Sequence, residues 1–133
     1  MPFVVDASVS IAWVLGDELS PGAEAARERL VWDDACAPSL WWLEVRNVVL
    51  LSERRGRLTR QRADGALAYL RRAPVALDHA PGETRLLDLA RAHQLTAYDA
   101  AYLELAQRMG VPLASSDRSL AAAARAIGIE TVG

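Results

Sequence analysis

At 133 residues with a formal charge of −2, the chain is expected to form one domain over 1–133, enough to bury about 65–70% of its unfolded surface. All 15 basic residues are arginines, which excludes P-loop phosphate binding, Schiff-base catalysis and lysine-dependent phosphoryl transfer. A single cysteine, Cys36, excludes an intrachain disulfide or a thiolate metal cluster, and a small buried hydrophobe is its expected role.

Phe3-Val4-Val5 is a short apolar run that stops on Asp6, followed by Ala7 and Ser8. This reads as a buried parallel strand handing over to a helix, with a carboxylate at the strand's carboxyl end, where open α/β sheets keep their chemistry. The run is far too short for a signal-peptide core or a membrane span. No later run approaches about 18 apolar residues, so a cytoplasmic protein without membrane contact is expected. Ala7 to Leu15 suits a helix packed on the sheet, ended by Gly16-Asp17-Glu18. Ser20 as N-cap and Pro21 at the first helical position open an alanine-rich helix through about Trp32. Asp33-Asp34 reads as a solvated turn.

Ala35-Cys36-Ala37 is a second short strand, and Pro38-Ser39 is expected to cap the next helix. On that helix Leu40, Leu43, Asn47, Leu50 and Leu51 share one broad face, and Glu44 sits among them. A carboxylate on an inward face must find a partner or a cation or become protonated, unless it is a rim glutamate reaching solvent. Gly56 marks a helix end and Thr59 the N-cap of a helix to about Arg72. Arg54, Arg55, Arg57, Arg60 and Arg62, with only Glu53 nearby, form the one basic patch. It is either a solvated helical hairpin or a surface for a phosphate backbone.

Val75 to Asp78 reads as a third strand, and Pro81-Gly82-Glu83 opens a helix with Leu86, Leu87, Leu89, Ala90 and Leu95 inward. His79 and His93 each lack a metal-ligand neighbour at helical spacing. Thr96 or Tyr98 begins a largely buried helix with Asp99 in its first turn, where the helix dipole favours a carboxylate. Gly110 ends it. Val111 to Ser115 is a fourth strand followed directly by Ser116-Asp117. Ser119-Leu120 leads into an alanine-rich helix to Gly128, and Ile129 to Val132 is a candidate edge strand.

Strands alternating with helices predict an α/β fold whose mainly parallel sheet is covered on both faces. Asp6 and Asp117 follow strand ends directly, and they lie side by side if those strands are neighbours. Glu44 and Asp99, on the amino-terminal halves of helices, could face the same crevice. Two carboxylates about 4 Å apart repel by about 4 kcal/mol at an effective dielectric near 20. A divalent cation removes the conflict, and all-oxygen ligation suits Mg²⁺ or Mn²⁺. Such an ion activates a water and neutralises phosphate in phosphodiester cleavage. Ser8 and Ser115 either hold waters or phosphate oxygens there or cap helices.

The blocks Val5-Asp6-Ala7-Ser8, Glu44-Val45-Arg46-Asn47, Tyr98-Asp99-Ala100-Ala101-Tyr102 and Leu113-Ala114-Ser115-Ser116-Asp117 occur in an order and spacing that resembles the PIN domain. Within that family the chain resembles the VapC-type ribonuclease toxins of toxin–antitoxin pairs, over essentially its whole length. The resemblance implies a three-layer α/β/α sandwich and metal-dependent endonucleolytic cleavage of RNA. Asp6, Glu44, Asp99 and Asp117 match the family's acidic quartet. Ser8 and Asn47 match its polar supports, and Ser115 stands where threonine is frequent. It also implies homodimers and a small cognate antitoxin, for which Trp41-Trp42 are either part of the interface or core.

The leading expectation is therefore a Mg²⁺- or Mn²⁺-dependent endoribonuclease. Its principal ligands would be Asp6, Asp99 and Asp117, with Glu44 assisting and Arg54, Arg55, Arg57, Arg60 and Arg62 holding the RNA. The alternative is a non-catalytic RNA-binding or protein-interaction module that keeps the fold. An aspartyl-nucleophile phosphatase would want a second aspartate where Ser8 stands, and a lysine.

Overall fold

Phe3–Val5 forms strand β1, and all three side chains are fully buried, as a strand covered on both faces requires. The computed structural model describes residues 1–15 and 20–132. Within them β1 is followed by α1 (Ala7–Val14), α2 (Pro21–Arg29), β2 (Ala35–Pro38), α3 (Leu40–Arg54) and α4 (Arg60–Arg72). Then come β3 (Val75–Asp78), α5 (Glu83–His93), α6 (Ala97–Met109), β4 (Leu113–Ala114) and α7 (Arg118–Ala126). The sheet is parallel throughout, in the order β3-β2-β1-β4. Helices α1 to α4 pack on one another beside it. On the other side α6 lies against β1, β2 and β4, between α5 and α7. The result is the expected three-layer α/β/α sandwich.

The order of the strands decides where chemistry can occur. From β1 the chain moves to β2 and β3 on one side, then returns across the sheet to place β4 on the other. The carboxyl ends of β1 and β4 therefore flank a topological switch point, the crevice in which open α/β sheets bind ligands. Val4 pairs with Leu113 and Val5 with Ala114, so Asp6 follows directly on the paired residues and Asp117 three residues after Ala114. The adjacency on which the sequence reading depends is present.

Several elements depart from their expected bounds. α2 stops at Arg29 and residues 30–33 form turns rather than a helix to Trp32. Asp33 in that turn is paired with the amino terminus and Arg29. β4 is two residues instead of five. The last segment makes one parallel bridge, Leu113 to Thr131, rather than a strand. Ser39 precedes α3 without a side-chain cap, and of the apolar residues on α5 only Leu89 is fully buried. The stop expected at Gly16-Asp17-Glu18 lies outside the described residues. Other punctuation is as read: Ser20, Thr59 and Thr96 each accept a backbone N–H at an N-cap, and Gly110 closes α6 in the left-handed region. α5 closes in the same region on Gln94, a position that glycine or asparagine fills with less strain.

The largest correction concerns α3. Its buried stripe is Trp41, Val45, Val49 and Ser52, and not the face carrying Leu40, Leu43, Asn47, Leu50 and Leu51. Leu43 is 67% exposed, Leu50 43% and Trp42 46%, and Asn47 is exposed too. Both faces of α3 are apolar, so periodicity alone permits either phase. The stripe that packs against α1 and β2 carries Val45 and Val49, while Leu43 and Leu50 are left outside and Leu40 and Leu51 are partly buried. Trp41 is core, with its indole N–H donating to the Ser10 hydroxyl at 2.8 Å. No helix among the described residues is long and apolar enough to cross a membrane.

Candidate active site

Asp6 leaves β1 as the N-cap of α1 and accepts from the backbone N–H of Val9 at 3.0 Å. That bond satisfies one of the free donors at the helix start. Its carboxylate is 4% exposed and is held on both oxygens. The Ser8 hydroxyl donates to Oδ1 at 2.6 Å and the Ser115 hydroxyl to Oδ2. The two serines are in turn fixed by β4's outgoing turn. Ser115 Oγ accepts from the N–H of Asp117 at 2.9 Å and Ser8 Oγ from that of Ser116 at 3.1 Å. The helix caps at these turns are thus the acids themselves. Asp117 caps α7 by accepting from Leu120 N–H at 3.0 Å, while Ser8 and Ser115 orient Asp6.

The other two acids come from helices on opposite sides of the sheet. Glu44 lies in the second turn of α3, and its Oε1 accepts a 2.5 Å hydrogen bond from the Tyr102 hydroxyl on α6. Asp99 lies in the first turn of α6, behind the Thr96 cap. Asp6, Glu44, Asp99 and Asp117 line one cavity of about 290 Å³, together with Ala7, Ser8, Ile11 and Val48. The predicted quartet is therefore brought together. Among the described residues, however, no three acid, histidine or cysteine side chains stand close enough to hold one ion as they are placed.

The electrostatics of the cavity are those of acids without a counter-charge. Burial raises the Asp6 carboxyl above its ordinary range, against the lowering effect of Ser115, Ser8 and Val9, and Asp117 raises it further. Burial also raises Glu44, where Tyr102 lowers and Asp99 and Asp6 raise it. Asp99 is raised by burial and by Asp117, against Thr96. Among the described residues no arginine pairs with any of the four. Desolvation and mutual repulsion thus act in the same direction at three of them.

The remaining predicted residues lie elsewhere. Asn47 is exposed and does not line the cavity. Arg54, Arg55, Arg57, Arg60 and Arg62 are all exposed around the α3–α4 hairpin. Arg54 is ten residues beyond Glu44, about 15 Å along the helix. Arg62 lines a separate cleft with Trp13, Leu58 and Tyr69. Sequence reasoning missed two supports. One is Tyr102, whose signal is a tyrosine one helical turn after Asp99. The other is the Trp41–Ser10 relay, in which the Ser10 hydroxyl donates to the Asp6 carbonyl at 3.0 Å. An indole and a hydroxyl 31 residues apart carry no local signal of that contact.

The family model described as the PIN domain matches residues 3–126. Ribonuclease VapC3 of Pyrobaculum aerophilum is 37% identical over 125 residues, covering 91% of this chain and 93% of that protein. Ribonuclease VapC3 of Mycobacterium tuberculosis is 36% identical over 130 residues, covering 94% of this chain and 91% of that protein. Two solved structures share the fold. The protein PAE2754 of Pyrobaculum aerophilum superposes with a TM-score of 0.72 at 23% identity, covering 92% of this chain and 84% of that one. VapC20 of Mycobacterium tuberculosis, a toxin described as cleaving the sarcin–ricin loop, superposes with a TM-score of 0.64 at 17% identity, covering 98% of both chains. A family model spanning almost the whole chain, and relatives aligned nearly end to end with it, make this chain a member of the PIN-domain family, in its VapC branch.

Proposed function

We propose that the protein is a divalent-metal-dependent endoribonuclease and the toxin of a toxin–antitoxin pair. The observation that carries this reading is the lining of one cavity, at the switch point of the sheet, by Asp6, Glu44, Asp99 and Asp117, with no arginine paired to them among the described residues. Clustered carboxylates raise one another's pKa and weaken the fold, and a hard cation relieves that conflict. A bound Mg²⁺ or Mn²⁺ would supply an activated water and neutralise the scissile phosphate. Asp6, Asp99 and Asp117 would be its principal ligands, with Glu44 assisting. Ser8 and Ser115 keep Asp6 oriented toward it. The names of the two VapC3 relatives support RNA as the substrate.

The direct test is incubation of the protein with a randomised single-stranded RNA library in Mn²⁺, with and without excess EDTA. Cleavage in Mn²⁺ alone is expected, with new ends inside the chains. The acids' separation as placed favours a second reading, a non-catalytic RNA-binding module. Retained RNA binding without cleavage and without Mn²⁺ binding would select it.

In the proposed reading the exposed arginines of the α3–α4 hairpin hold the phosphate backbone, because they face solvent and none of them makes an ion pair among the described residues. Replacing Arg54, Arg55 and Arg57 together by alanine is expected to weaken RNA binding without altering sequence preference. The slope of log affinity against log salt should fall by about 2, since each single-strand phosphate contact contributes about 0.7. An unchanged slope would remove the hairpin from the interface. The partner is a small antitoxin. Trp42, Leu43 and Leu50, with Arg46 stacked 3.8 Å over the Trp42 ring, form an exposed apolar surface on α3 that such a partner would cover. Homodimerisation and a cytoplasmic site of action belong to the same reading.

A further inference from the structure

We infer that Tyr102 is a positioning residue of the acidic site: from α6 its buried hydroxyl grips one oxygen of Glu44 on α3, leaving the other to the cavity. The inference rests on the ribonuclease reading above and adds a residue to its machinery.

The tyrosine is 1% exposed and is the largest of the fully buried side chains. A residue that served only to fill that space would need no hydroxyl, because a buried O–H without a partner is costly. This one has a single protein partner among the described residues, Glu44 Oε1 at 2.5 Å. Glu44 Oε2 accepts no protein hydrogen bond there. The contact therefore spends the phenol's donor entirely on the carboxylate.

The geometry also explains why such a grip is useful. Glutamate is long and loses considerable rotamer freedom when held. Glu44 is half-buried beside Asp6 and Asp99, whose charges repel it. Left alone, that side chain would swing away from its neighbours toward water. Asp6 has Ser8 and Ser115 to hold it, and Tyr102 does for Glu44 what the two serines do for Asp6. Asp99 and Tyr102 are three apart on α6, neighbours on one helix face. That helix thereby sets one acid and clamps another, fixing the separation of α3 and α6 across the cavity.

The test compares Tyr102→Phe, Glu44→Gln and the double variant with the wild-type protein. Each is followed by cleavage of the same RNA library, by calorimetric titration with Mn²⁺ and by thermal melting. The phenylalanine keeps the ring, so melting is expected within about 4 °C of wild type. Its kcat should fall between about tenfold and a hundredfold, as misplacement of a catalytic group by an ångström does, while KM for RNA stays within about twofold. Mn²⁺ affinity should fall with it. In the Glu44→Gln background the same change should do nothing further, which a merely structural tyrosine would not reproduce. If Tyr102→Phe matches wild type in kcat and Mn²⁺ affinity while Glu44→Gln is impaired, the inference fails and the site reading stands. A tenfold or larger additive loss in the double variant also overturns it. Wild-type protein that neither binds Mn²⁺ nor cuts RNA overturns both.

Discussion

Asp6→Asn is expected to reduce RNA cleavage by more than about a hundredfold, beyond the loss typical of a group that only supports a metal ligand. It should do so without unfolding the protein. The asparagine oxygen can take over the hydrogen bonds from Val9 N–H and the Ser8 hydroxyl, and its amide can donate to Ser115 Oγ, which already accepts from Asp117 N–H. Burial holds the Asp6 carboxyl above its ordinary pKa. Its ionised form at neutral pH is therefore less favourable in the folded state than in the unfolded chain, and that handicap disappears as pH falls and the group protonates. Removing the charge should accordingly raise the melting temperature in metal-free buffer. With Mn²⁺ the order should reverse. Saturating metal at a hundred times its dissociation constant stabilises the folded state by about 2.7 kcal/mol, and the variant forfeits most of that gain. Melting curves with EDTA and with Mn²⁺, beside the cleavage assay, check all three statements. Wild-type cleavage by the variant would remove Asp6 from the mechanism.

The second large effect lies away from the cavity, where β3 meets α6. Glu104 is almost fully buried and accepts from Arg108 Nε at 2.8 Å, from Arg108 Nη2 at 3.1 Å and from Gly82 N–H at 3.2 Å. Arg108 also forks onto both oxygens of Asp78 at the end of β3, at 3.2 and 2.7 Å. Arg108→Ala leaves a buried carboxylate with only one backbone donor. Breaking a fully buried pair costs about 3–5 kcal/mol, and because Arg108 is itself partly exposed a loss of about 2–3 kcal/mol is expected. Urea unfolding at pH 7 measures it. The hydrogen bonds and charge of Arg108 hold the Asp78 carboxyl below its ordinary range. Its share of the stabilisation is present above the unfolded value near 3.9 and is lost as pH falls through the lower folded value. The gap between wild type and variant should therefore be full at neutral pH and narrow below about pH 4. A gap unchanged from pH 7 to pH 3 would show that Asp78 contributes nothing to the clasp.

Much of this architecture is legible in the sequence, because the signals are local. An apolar run ending on a carboxylate, proline after serine at 20–21, threonine before Arg60 and Ala97, and glycine after Met109 each act within a helical turn. Those signals gave β1, the starts of α2, α4 and α6, and the end of α6. Three of the four acids are legible for a similar reason: Asp6 and Asp117 follow strands directly and Asp99 opens a helix, whereas the reading of Glu44 rests on an apolar face of α3 that is left largely exposed.

Residue order alone thus carries the alternation of strands and helices and the identity of the acids that follow or open them. The folded chain makes β1 and β4 neighbours, since Val4 and Leu113 are brought together by strand order and not by anything near either residue. It also decided which face of α3 is buried, because valine and leucine stripes on one helix are both apolar and only the packed partners choose between them. The Tyr102–Glu44 and Trp41–Ser10 contacts, 58 and 31 residues apart in the chain, belong to the same class. Hydrogen bonds between distant segments leave no periodicity in the sequence, so the acids and the serines that hold Asp6 can be found there while the tyrosine that holds Glu44 cannot.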